Sequence, residues 1–481
     1  MAQERDLAAL DVTGMTEGYR QGRFTPVDVM AAVLERMEKV NPLINAFCFA
    51  DAEGAMAEAE KSAARWRAGD PAGPLDGVPF TIKDLVLSRG WPTLRGSRTI
   101  SPEQPWQDDA PSVARLRRAG AIAFAKTTTP EFGWKGVTDS PLTGITRNPW
   151  NSERTPGGSS GGAAAAAAAG VGPLHIGTDG GGSIRIPAAF CGVVGHKPSA
   201  MRVAAWPPSP FGTLATVGPI TRSVRDAALM LDCMSGPDPR DWLTHEMAPV
   251  QPVVEGQETV RRLRIAYSPD LGYAKVDEEV AEAVRRAVQA LEDAGFMIGE
   301  VSPPFEDPTE IFIRHWAVGA YNGLRALSKD QLAMLEAPLR EVVELGRKTA
   351  LSDYLDAMNA RVALGTRMRA FYEDFDLLLT PALAVTAFRA GRLMPDKADV
   401  EKPPVPAARG LEEWLSWTPF TYPFNLTGQP AMTLPCGLSA EGLPVGLQIV
   451  GPAEGDGRIF AFARQAERIL SALMPQHLPD L

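Results

Sequence analysis

Cysteine and histidine are scarce in this chain, at 4 and 5 of 481 residues. The cysteines (Cys48, Cys191, Cys233, Cys436) are scattered and form no C-x-x-C pair, so no disulfide framework is expected. The histidines (His175, His196, His245, His315, His477) make no H-E-x-x-H and no H-x-H, the common metallohydrolase patterns. No uncharged apolar run reaches the roughly 18 residues a spanning helix needs. The opening MAQERDLAALD lacks the basic-then-apolar order of a secretion signal, and the expected location is the reducing cytoplasm. Positive charge is also in deficit. With 48 basic and 58 acidic residues the formal net charge is -10, which argues against nucleic acid or an anionic membrane as the main partner. Arg115, Arg117 and Arg118 read as the solvated face of a helix. G-x-G-x-x-G, G-x-x-x-x-G-K-[ST] and S-x-x-K are all absent, and neither cofactor nor metal is expected.

Small residues, by contrast, are concentrated in one place. Pro156 to Pro187 reads PGGSSGGAAAAAAAGVGPLHIGTDGGGSIRIP, with Ser159 and Ser183 in glycine nests 24 positions apart. Glycine at this density lets backbone N–H groups approach a ligand closely and tolerates positive φ. A serine among such groups has both a nucleophilic oxygen and a pocket for an oxyanion, which suits acyl transfer. Gly157 to Gly161 also matches the G-x-S-x-G nucleophile elbow. That elbow needs an apolar strand before it, and the preceding NPWNSERTP is polar and turn-like.

A serine nucleophile needs a base, and Lys83 is placed to supply one. It ends the apolar segment Val78 to Ile82, and ligand sites in open α/β sheets lie beyond the carboxyl ends of strands. Desolvation lowers a lysine's pKa, and a neutral amine can take a proton. Taken alone, a strand-end lysine is more often one that snorkels to solvent.

The periodicity predicts one large α/β domain with a mixed, mostly parallel central sheet covered by helices on both faces. Residues 1–68, helical from residue 4, read as an N-terminal segment packed on the core, with Thr25-Pro26 as a helix start, and 69–481, which holds Lys83, Ser159 and Ser183, as the catalytic part of the same domain. Strands are expected over Val78–Ile82, Ala121–Ala125, Leu263–Tyr267, Leu377–Thr380 and Leu447–Val450. Helices are expected over Asp109–Gly120, from Asp277 to Gly295, and through 311–372. Lys402–Ala408 reads as a proline-rich loop.

GVPFTIKD (Gly77–Asp84), GGSSGG (Gly157–Gly162) and GTDGGGSIRIP (Gly177–Pro187), in that order, resemble the amidase signature family. The similarity runs on through FCGVVGHKPS (Phe190–Ser199), GPITRSVRDAALML (Gly218–Leu231) and FNLTGQPAMTLPCG…GLPVGLQIVG (Phe424–Gly451), nearly the whole chain. The resemblance implies a Ser-cisSer-Lys triad. Ser183 matches the nucleophile, Ser159 the bridging serine with a cis bond to Gly158, and Lys83 the base. Gly180, Gly181, Gly182 and Ser183 match the oxyanion loop. Ser160 and Thr178 are expected to hydrogen-bond the bridging serine or the loop, and Asp179 and Arg185 to pair and brace it.

The implied reaction is hydrolysis of a small-molecule amide with water as second substrate. Anilides, carbamates (urethanes), oligoamides and glutamine, the last within a tRNA-dependent amidotransferase, are the alternatives. A homodimer is left open. Trp91, Trp134, Trp206, Phe211, Trp316, Tyr321, Trp414 and Trp417 fit a wide apolar pocket for an aryl or alkyl amide, or equally the core. Two departures stand out. Gly and Asn are usual in the family where Ala125 and Thr128 stand, a change expected to touch the substrate channel. His196 falls where Leu is common and has no account from sequence.

Overall fold

Thr25 caps its helix as the Thr25-Pro26 pair predicts. Its hydroxyl accepts from the N–H of Asp28, and the Asp28 carboxylate accepts from the N–H of Thr25, a reciprocal capping box. The computed structural model describes residues 6–250, 260–396, 408–475 and 478–479; most of the expected 402–408 loop lies outside them. The N-terminal helices are α1 (Val12–Arg20), α2 (Pro26–Ile44) and α3 (Ala52–Ala68). Asn45, in the left-handed region at φ 49°, ends α2. Between α2 and α3 the structure departs from the helical expectation. Phe47–Ala50 forms a strand, β1, whose pairing with distant residues no local pattern announces.

The remaining strands follow in order: β2 (Pro79–Lys83), β3 (Ile122–Thr127), a small hairpin of β4 (Asp139–Ser140) and β5 (Gly144–Ile145), and β6 (Leu174–Asp179). After them come β7 (Val194–Lys197), β8 (Thr216–Thr221), β9 (Arg264–Tyr267), β10 (Met297–Glu300), β11 (Leu377–Pro381), β12 (Ala431–Leu438) and β13 (Pro444–Val450). Eleven of them form one sheet in the order β1-β3-β2-β6-β8-β7-β12-β13-β11-β9-β10. It is mixed. Pairing is parallel across β3-β2-β6 and across β11-β9-β10, and antiparallel through the middle and at β1.

Helices cover both faces, as the alternation of buried strand residues requires. Leu377 and Leu379 join one apolar cluster, with Val284, Leu291 and Phe460, while Leu378 joins another, with Phe312, Trp316 and Leu364. The helix from Asp277 holds Val280, Val284, Ala287, Val288 and Leu291 on its buried side, although the Asp277 carboxylate makes no capping bond. The stretch 311–372 is four helices: Thr309–Leu324, Lys329–Met334, Ala337–Lys348 and Leu351–Asp374. Ser328, in a capping box with Gln331, and Pro338 supply the restarts. Helix α4 (Pro111–Arg118) exposes Arg118, but Arg117 is drawn into an ion pair with Asp109.

Two buried helices complete the core under the site. Helix α5 (Gly161–Ala168) is buried along its whole length, and α6 (Arg185–Cys191) lies against it. Strands β2 and β6 are parallel neighbours, with Ile82 beside Ile176. Their carboxyl ends emerge together, which sets Lys83 beside Thr178 and Asp179.

Candidate active site

Lys83 is fully buried, and its Nζ has three hydroxyl neighbours: Ser159 Oγ at 2.7 Å, Ser160 Oγ at 2.8 Å and Thr178 Oγ1 at 2.9 Å. Burial lowers its pKa well below the usual lysine value of 10.5, against the opposing charge of Asp179. An ammonium donates three hydrogen bonds, whereas a neutral amine donates two and accepts one. In the neutral state one of the three hydroxyls must therefore donate to Nζ. Ser160 Oγ already donates to the carbonyl of Thr178 at 3.2 Å, so the donor is Ser159 or Thr178. Ser160 and Thr178 thus hold the lysine directly, and Ser160 also reaches the loop as expected, its N–H donating to the carbonyl of Ser183. Ser159 follows a cis peptide bond with Gly158 and sits just before α5.

Ser183 lies on the turn from β6 into α6, slightly open to a cavity, and its carbonyl accepts from the N–H of Ser160 at 3.1 Å. Gly182, at φ 127°, must be glycine, because a Cβ would stand 2.5 Å from Thr421 Oγ1. Asp179 shapes this turn by accepting from the N–H groups of Gly182 (2.7 Å) and Ile184 (3.2 Å). The N–H of Gly182 is therefore committed to the carboxylate, and the expectation that Gly182 supplies an oxyanion donor is not met. Among the described residues no acceptor takes the N–H of Gly180, Gly181 or Ser183.

Asp179 and Arg185 pair as expected, through two bonds of 3.0 Å with both side chains fully buried. Nothing in the sequence marks the partners that complete the network as such, although Asn425 and Gln448 fall within the Phe424–Gly451 stretch quoted above. Arg185 also donates to Thr421 O and Gln448 Oε1 at 2.8 Å and to Asn425 Oδ1 at 2.7 Å, and Asn425 Nδ2 donates to Asp179 at 2.9 Å. Burial alone would raise the Asp179 pKa; the charges of Arg185 and Lys197 and the bonds from Arg185 and Asn425 outweigh it and hold the carboxyl well below the usual range. Breaking a buried pair from one side costs about 3–5 kcal/mol. Arg185→Met is expected to lower stability by about that amount in chemical denaturation, and to lose activity as Asp179 is left without its partner.

A family model described as Amidase matches residues 28–460. The chain belongs to the Amidase family. An acylamidase of Rhodococcus erythropolis is 37% identical over 472 residues, 97% of this chain and 96% of the relative. The A subunit of the glutamyl-tRNA(Gln) amidotransferase of Roseiflexus sp. (strain RS-1) is 34% identical over 502 residues, 99% of each. The crystal structure of a bacterial aryl acylamidase of the amidase signature family superposes with a TM-score of 0.85 at 28% identity, covering 96% of both chains.

In this Amidase-family chain a cavity of about 430 Å³ opens onto Ser159, Thr178, Gly180 and Ser183. Phe132, Trp134, Trp206, Phe211 and Trp316 line it, with Phe211 stacked on Trp316 at 4.0 Å. Half of the aromatic set expected there lies elsewhere, Trp91, Trp414 and Trp417 in the core and Tyr321 half-buried against it. Trp417 stacks on Phe190 at 5.6 Å, Trp414 meets Phe312 edge-on, Trp91 packs on Phe49, and Tyr321 does not reach the cavity. Thr128 does not line it either. Its hydroxyl bonds that of Thr146 at 2.7 Å and faces the carbonyl of Ala46, so the Asn-to-Thr departure touches packing near β1. The structure also accounts for His196: its Nε2 lies 2.9 Å from Asp456 Oδ1, and Asp456 also accepts from the Ser199 hydroxyl at 2.6 Å. Burial lowers the His196 pKa, opposed by the bond to Asp456. Cys191 is buried, as expected of a structural cysteine, and burial raises its thiol pKa. Among the described residues no helix is long and apolar enough to cross a membrane.

Proposed function

We propose that this chain is an amidase acting on aryl or alkyl amides by an acyl-enzyme route, with Ser183 as nucleophile, Ser159 as relay and Lys83 as base. One observation carries the reading: a fully buried lysine with lowered pKa stands 2.7 Å from Ser159 Oγ, at the end of a cavity that also exposes Ser183. As Ser183 Oγ attacks the carbonyl carbon, its proton passes to Ser159 while the Ser159 proton passes to Lys83. The N–H groups of Gly180, Gly181 and Ser183 are the donors free to meet the oxyanion. Return of the proton releases the amine as the C–N bond breaks. Water then repeats the sequence to free the acid and restore Ser183.

The aromatic walls favour an aryl or alkyl moiety, and the acylamidase relative supports that choice. Carbamates and oligoamides present the same carbonyl and remain in the substrate class to be tested. Glutamine hydrolysis in an amidotransferase is the second reading, favoured by the Roseiflexus relative. The scattered cysteines and acidic balance support a reducing cytoplasm and a small-molecule partner. A panel of primary amides, anilides, carbamates and glutamine, run with hydroxylamine, tests the proposal. The expected result is anilide turnover with trapping of the acyl group as a hydroxamate. Turnover of glutamine alone would replace this reading with the second.

A further inference from the structure

The cavity walls are mainly apolar; beyond the catalytic end they are interrupted by Arg95 and by the uncharged polar residues Ser112, Ser209, Thr216 and Asn322. Among the described residues that line it, Arg95 carries the only charge. Its guanidinium makes no hydrogen bond or ion pair within the described chain. Asp84, whose charge it feels, is occupied elsewhere: it accepts from the N–H groups of Leu94 (3.1 Å) and Gly96 (3.2 Å) and lies 3.5 Å from Lys126 Nζ. The Arg95 backbone stands at φ 56°, a region that non-glycine residues seldom adopt and that costs on the order of a strained rotamer to hold. The Arg95 carbonyl accepts from the N–H of Phe132 at 2.8 Å. The next residue, Gly133, abuts the relay serine, since a Cβ there would come within 3.3 Å of Ser159 Oγ. A permanent cation is thus tied to the loop that walls the catalytic end, and it lines a mainly apolar cavity that holds no other charge among the described residues.

An arginine cannot shed its charge, so a half-buried, unpaired one is costly until an anion joins it. Its planar fork fits a carboxylate through two parallel N–H bonds. We propose that Arg95 selects amides that carry a carboxylate on the moiety filling the aromatic cavity, such as acylated aminobenzoates or anilides of dicarboxylic acids. This rests on the amidase reading for turnover, but the recognition itself can be measured without it.

The first measurement is binding, read from the fluorescence of Trp134, Trp206 and Trp316, which line the cavity. The wild type is expected to bind 4-phenylbutyrate about tenfold or more tightly than 4-phenylbutanol, a preference that shrinks in high salt. Arg95→Gln should bring the ratio near one, and Arg95→Lys should restore part of it. The second measurement is kcat/KM for 4-acetamidobenzoate against 4′-methylacetanilide, and for N-phenylsuccinamate against butyranilide. In at least one pair the carboxylate is preferred, and Arg95→Gln lowers that preference at least tenfold. Equal binding of the acid and the alcohol by the wild type, or a preference untouched in Arg95→Gln, overturns the proposal. If Arg95→Gln fails to fold, the wild-type ratio, its salt dependence and Arg95→Lys decide alone. Carboxylate-selective binding without any amide turnover sinks the amidase reading and leaves this one. Turnover of neutral anilides without carboxylate preference does the reverse.

Discussion

Ser183→Ala stops turnover of every amide in the panel, with kcat reduced by about ten-thousand-fold to a million-fold. The size follows from the absence of a substitute. Among the described residues the other serines at the catalytic end are Ser159 and Ser160, and both are held on Lys83 Nζ at 2.7 and 2.8 Å. The fold should survive, because Ser183 Oγ takes part in no described hydrogen bond and its backbone carbonyl, which accepts from Ser160, is unchanged. Binding of an unreactive ligand such as 4-phenylbutanol should persist. Single-turnover kinetics with hydroxylamine should show no hydroxamate. A variant that retains near-normal rates would remove Ser183 from the chemistry and reopen the Gly157–Gly161 elbow.

Lys83→Met removes the proposed base and is expected to lower kcat by about a thousand-fold or more. In the wild type kcat/KM rises with pH as the lysine loses its proton, with an apparent pKa well below 10.5, because burial disfavours the ammonium. In the variant that limb disappears. Stability carries the same signature. The folded pKa lies below the unfolded value, so between the two the unfolded chain holds a proton the folded chain does not. The lysine's contribution to stability is therefore complete above about the unfolded value, which is near 10.4, and is lost as pH falls toward the folded pKa. Chemical denaturation across pH should show a rise in wild-type stability over that window and a flatter curve in Lys83→Met. Equal slopes would mean that Lys83 is charged in the folded protein, and the proposed base would fail.

The parts of the site that lie close together in sequence are legible there. The apolar run of β2 places Lys83 at a strand end and the glycine nests single out Ser159 and Ser183, but the roles of all three, and the Asp179–Arg185 brace, are read only through the resemblance of the motifs that hold them. What escapes depends on contacts across long separations. Asn425, Thr421 and Gln448 reach Arg185 from 236 to 263 residues away, and nothing local marks them as its partners. The same holds for His196 with Asp456, 260 residues apart. Strand β1 is hidden by its length of four residues beside two good helices, although Asn45 in the left-handed region is a usable stop signal. Ser328 with Gln331, and Pro338, are equally readable as restarts within 311–372. Arg95 carries no motif; only its position in the cavity wall gives it meaning.

The Arg185 network also bears on how the protein is made. The turn that presents Ser183 is fastened to Thr421, Asn425 and Gln448, which leave the ribosome long after it. At roughly 5–20 residues per second, the proposed nucleophile waits many seconds of synthesis before its brace is complete. Until then the turn has only its local bonds, from Gly182, Ile184 and Arg185 to Asp179, and lacks the anchors to Thr421, Asn425 and Gln448. A nascent or C-terminally clipped chain that lacks Thr421, Asn425 and Gln448 is expected to show no amide hydrolysis, which an activity assay on a chain ended before residue 420 would check.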